Sequence, residues 1–81
     1  MQVDGWVKRV DLAEHSAVIT TRTGAEMTLH FAEGSYIEVL DPTTGGTMPG
    51  TLASLQQGYA VEARFEEERG VCHCQYLTSL S

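Results

Sequence analysis

Apolar and polar residues alternate with a period of two along most of this chain, and glycines mark most of the breaks, a pattern that predicts strands separated by turns. From Gln2 to Leu12, Val3, Gly5 and Val7 share one face, whereas Val10 and Leu12 fall on the other unless a bulge shifts the register. Such a bulge bends a strand in the way a small barrel requires. After a turn at His15-Ser16, Ala17, Ile19 and Thr21 alternate with Val18, Thr20 and Arg22, and the β-branched residues add strand propensity. A turn at Thr23-Gly24 leads into Ala25, Met27, Leu29 and Phe31 on one face, opposite Glu26, Thr28 and His30. The alternation returns at Tyr59, Val61, Ala63 and Phe65, opposite Glu62 and Arg64. Glu66 to Gly70 then reads as a charged hairpin turn, and Val71 to Leu77 as the last strand.

The segment from Ala32 to Gln57 breaks this rhythm. Tyr36, Ile37, Val39 and Leu40 suggest a short strand, but Pro42, Pro49 and the intervening glycines exclude a continuous helix. The expectation is a strand over Tyr36 to Leu40, a flexible excursion through Gly50, and a brief turn or helix around Leu52 to Gln57. The fold class that follows is all-β, a single small domain spanning residues 1–81, with a long irregular connection or extra hairpin between its third strand and the strand that begins near Tyr59.

Composition narrows the function classes. Five Lys and Arg against eleven Asp and Glu give a net charge of −6, which repels phosphates and favours a basic partner over an acidic one. No run approaches the roughly 18 apolar residues of a membrane span, and Met1-Gln2-Val3-Asp4-Gly5 lacks the basic and apolar regions of a secretory signal, so a cytoplasmic location is expected. Cys72 and Cys74 fall on one face of a strand about ~6.6 Å apart, awkward for a disulfide, and are read as reduced thiols.

The order of these elements resembles the cold-shock type of OB-fold. Gly5, Val7 and Lys8 match its opening, Ile19-Thr20 its second strand, His30-Phe31 the end of its third, and Leu55, Gly58 and Val61 its last hairpin, with Asp11 in place of an Asn. The resemblance spans most of the chain. It implies a five-stranded barrel and single-stranded nucleic-acid binding through exposed rings, with Lys8, Arg9, Arg22, His30 and Phe31 as the candidate residues.

The chain departs from that family where binding would occur. Arg9 and Val10 stand where first-strand aromatics are expected, and Ser16 and Val18 replace the phenylalanines of the second strand. Base stacking contributes about 1–3 kcal/mol per ring, so losing four rings removes roughly 4 kcal/mol or more. Trp6 reads equally as a ring at a binding surface or as barrel packing, and Glu66 to Glu68 as a solvated tip.

Cys72-His73-Cys74 invites a metal or redox reading, since thiolates and imidazole ligate zinc and copper. On a strand, however, His73 points away from both sulfurs, and two small buried thiols are the plainer reading. No paired carboxylates, nucleophile elbow or phosphate loop is evident, so no enzyme activity and no cofactor are expected. The favoured function is a non-catalytic module for protein interaction or assembly. Weak single-stranded nucleic-acid binding and a Cys72/Cys74 metal or redox module are the alternatives. An unpaired edge, at Tyr36 to Leu40 or in the last strand, leaves homodimerisation open.

Overall fold

All residues, 1–81, are described by a computed structural model, and the alternation seen in the sequence becomes seven strands. They are β1 (Gln2–Asp11), β2 (Ser16–Thr21), β3 (Glu26–His30), β4 (Tyr36–Leu40), β5 (Thr47–Pro49), β6 (Ala60–Glu68) and β7 (Val71–Ser79), with one 3-10 turn at Leu52–Ser54. β1 pairs with β2 and β6, β2 with β3, and β6 with β7, all antiparallel. A parallel seam between β3 and β7, with Leu29 opposite Cys72 and His30 opposite His73, closes these five strands into a barrel. The five-stranded barrel expected from the sequence is present, with two extra strands.

Those two strands form the extra hairpin, one of the two expectations for this segment: β4 has the bounds expected of it, and β5 lies where a flexible excursion through Gly50 was expected. β4 continues along the same edge of β7 that β3 occupies, placing Tyr36 opposite Tyr76, Ile37 opposite Leu77 and Glu38 opposite Thr78. β5 then folds back on β4. Pro49, which cannot donate to a ladder, ends β5, the outer strand, where proline is tolerated. Between β3 and β4, Ser35 accepts a hydrogen bond from the Ala32 amide (2.9 Å) and donates to the Cys74 carbonyl (2.6 Å), pinning the connection to β7.

Two bulges shape the barrel. In β1 the register steps from Val7 opposite Ile19 to Arg9 opposite Val18, so Lys8 is the extra residue and Val10 returns to pack on the core. In β7 Gln75 is extra, between Cys74 opposite Phe65 and Tyr76 opposite Arg64. Each bulge leaves two consecutive side chains outside: Lys8-Arg9 and Gln75-Tyr76. The tip of the last hairpin is tighter than expected. β6 runs to Glu68, and only Arg69 and Gly70 turn, both at positive φ (53° and 78°), as a two-residue turn of the twist-matching kind demands.

The core fills the barrel from every strand except β5: Val7, Ala17, Ile19, Leu29, Ile37, Val39, Val61, Ala63, Phe65, Cys74 and Leu77, with Leu55 from the connection plugging one end. No helix is long and apolar enough to cross a membrane.

Candidate functional site

The outer face of β1, β2 and β3 gathers three of the residues predicted to bind nucleic acid. Trp6, Thr20 and Glu26 form one row across it and Arg9, Val18 and Thr28 the next, with Lys8 in the bulge between them and Arg22 at the β2–β3 turn. The cations are largely spoken for. Lys8 pairs with Glu26, and Arg22 pairs with Asp4 while its guanidinium lies 5.9 Å from the centre of the Trp6 ring. The Lys8 ammonium, with a smaller contribution from Arg9, holds the Glu26 carboxyl below its ordinary value. Three cations therefore face two carboxylates, which leaves little attraction for a phosphate backbone.

Of the other two members of that set, His30 sits one outward row further along the same face, with Asp11 and Ser16, and Phe31 turns to the inner side. His30 faces outward at the far end of β3, against the seam with β7. Phe31 packs against the core and lines a groove of about 460 Å³ with His15, Ala32, Glu33, Ser35 and Leu52. Trp6 is half-exposed, so its ring belongs to the surface rather than the interior.

Cys72 and Cys74 both face the inner side. Cys74 is 4% exposed and sits opposite Phe65, whereas Cys72 is half-buried between Leu29 and Glu67. Nowhere do three His, Cys, Asp or Glu side chains converge as metal ligands would. Burial pushes the Cys74 thiol from 9.0 up to about 11, partly offset by the Tyr76 amide, and burial with the nearby Glu67 carboxylate also raises Cys72. A thiol raised by folding stabilises the fold fully below its unfolded value, and that stabilisation is lost as pH climbs through the folded one. The urea midpoint should therefore fall between about pH 9 and pH 11, by the equivalent of about 2–3 kcal/mol from this group, and fall less in Cys74→Ala. In the folded protein at neutral pH, iodoacetamide should alkylate Cys72 well before Cys74.

A different surface is built where β4 meets β7. Tyr36 and Tyr76, neighbours across that parallel pairing, stack with ring centres 5.5 Å apart and planes inclined by 20°, yet remain 43% and 36% exposed. The Tyr76 hydroxyl donates to the Glu38 carboxylate, which pushes the phenol above its ordinary value. Beside the pair runs an open groove of about 510 Å³ lined by Gln2, Glu62, Arg64, Gln75, Tyr76 and Thr78. Tyr36 was readable as strand and Tyr76 as part of the last one, but their meeting depends on a parallel pairing across forty positions and on the Gln75 bulge, neither of which leaves a local trace in the sequence.

The whole chain superposes on a crystal structure of Ag(I) CusF with a TM-score of 0.67, covering 98% of this chain and 95% of that one at 13% identity. At that identity the likeness is one of fold, an OB-like closed barrel. No protein-family model and no curated protein sequence matches the chain. The agreement with CusF thus rests on strand order and closure. The finer cold-shock resemblance rests only on its strand and turn residues.

Proposed function

We propose that this barrel is a non-catalytic binding module for a protein partner, and that the stacked Tyr36–Tyr76 pair is its contact platform. The observation that carries this reading is an exposed aromatic pair held rigid by stacking and by the bond to Glu38, since large preorganised rings supply most of the energy at protein interfaces. Glu38 and Glu62 outnumber the one cation beside the pair, Arg64 opposite Tyr76, and favour a cationic segment, in keeping with the net charge of −6. A barrel of this kind holding Ag(I) in CusF supports a binding role over a catalytic one. Nucleic acid is the weaker candidate: each tyrosine spends one ring face on the other, and two carboxylates, Glu38 and Glu62, stand near the pair against the single cation Arg64.

The test is fluorescence anisotropy of a labelled extended peptide alternating arginine and leucine, beside labelled single-stranded DNA and RNA, at low and moderate salt. The peptide should bind, and Tyr76→Ala should weaken it by about 30-fold, the equivalent of losing about 2 kcal/mol at an aromatic anchor. Peptide binding indifferent to Tyr76→Ala would remove the platform from consideration. Salt-sensitive oligonucleotide binding that quenches Trp6 would transfer the function to the β1–β2–β3 face.

A further inference from the structure

The seam that closes the barrel also places two imidazoles side by side. His30 and His73 are direct register partners across the parallel β3–β7 pairing, so their Cα atoms belong to neighbouring strands about ~4.8 Å apart. Both point outward, because their chain neighbours Leu29 and Cys74 are buried in the core and side chains alternate along each strand. His73 is exposed and His30 half-exposed, so both rings are open to solvent. The row runs on from His30 through Ser16 to Asp11, and from His73 to Glu66.

From this arrangement we propose that His30 and His73 form a two-histidine site for a borderline divalent cation such as Zn2+, separate from the cysteines and from the tyrosine platform. Two nitrogens binding one such ion at about 2.0–2.1 Å lie roughly 3 Å apart, within reach of imidazoles rooted on adjacent strands and sharing a face. Imidazole suits Zn2+, Cu2+ and Ni2+, and water completes the shell on the solvent side. Glu66, the register neighbour of His73, is placed to accept the N–H of that ring that does not face the metal, the usual orienting partner of a ligating histidine. The thiols do not compete: Cys74 is buried, and Cys72 lies on the opposite side of its strand from His73. Because the pair straddles the barrel's closure, a bound ion ties β3 to β7 and stabilises the closed form by mass action.

The probe is Zn2+ alone, added to the reduced full-length protein, with the three histidine ring signals followed by two-dimensional NMR and the melting temperature measured in parallel. One equivalent should shift the His30 and His73 rings together, leave His15 in place, and raise the melting temperature. His30→Gln and His73→Gln should each weaken Zn2+ at least tenfold and abolish that rise, while Cys72→Ala should change neither. His73 is exposed, so its glutamine variant keeps the test open even if His30→Gln folds poorly. Shifts confined to one ring, shifts at His15, no shift at all, or affinity unchanged in His73→Gln would overturn the proposal. None of these outcomes bears on peptide binding at Tyr76.

Discussion

Gly5→Ala is expected to destabilise the barrel by about 4 kcal/mol, a large share of the roughly 4–12 kcal/mol that holds a domain of 81 residues together. Gly5 lies where β1 is hemmed in on both sides, opposite Thr21 of β2 and Val61 of β6. A Cβ built there meets the Thr20 carbonyl oxygen at 2.1 Å and its carbon at 2.9 Å. Both are backbone atoms of the neighbouring strand, so no side-chain rotation relieves the overlap. The ladder itself must shift, at a cost above the usual 1–3 kcal/mol of overpacking. Gly34→Ala is the control, since nothing lies within 4 Å of its Cβ and its φ is not in the left-handed region. It should change stability by less than about 0.5 kcal/mol. Urea unfolding of the three proteins, followed by Trp6 fluorescence, decides the matter, and near-native stability in Gly5→Ala would show that the strands yield where the geometry says they are locked.

Leu77→Ala should cost about 3–4 kcal/mol. Leu77 is 0% exposed and stands at the middle of the inner row formed by Val3, Ala63, Leu77 and Ile37, which crosses four strands. One immediate neighbour, Ala63, is too small to move into the vacated space, so the cavity stays open rather than collapsing. The same truncation at Leu80, which is exposed, should be nearly silent. A fall in the urea midpoint at constant slope would mark a loss of packing, whereas a changed slope would mean that the barrel no longer unfolds as one unit.

How much of this was legible beforehand can be judged strand by strand. The period of two marked every barrel strand, and the misfit of Val10 called for the bulge that Lys8 supplies. The extra hairpin was one of two expectations, but its second strand, β5, was not placed, because a proline at an outer edge looks, from sequence, like a proline in a loop. The end of β6 was read as a turn because Glu66, Glu67 and Glu68 are all polar. They pair with His73, Cys72 and Val71 of β7, yet all three side chains are exposed, so the alternation there carries no information. For the candidate surfaces the limit was pairing rather than composition. Lys8, Arg9 and Arg22 were recognised as basic, but not that Asp4 and Glu26 answer two of them from neighbouring positions. Tyr36 with Tyr76, and His30 with His73, meet only because β3 and β4 both run parallel to β7. Parallel pairs are joined by no turn, so nothing local in the chain announces them.

The same pairings govern how the barrel is assembled in time. β1, β2 and β3 join through short turns, as do β6 and β7, so the halves on either side of the 31–59 connection can each form from local contacts. Everything that unites them is remote in sequence: Gly5 must find Val61, and Leu29 must find Cys72. The slow step of folding is then the docking of a three-stranded meander onto a hairpin, with loop-closure entropy spent before the shared core repays it, which places this small chain among millisecond-to-second folders rather than microsecond ones.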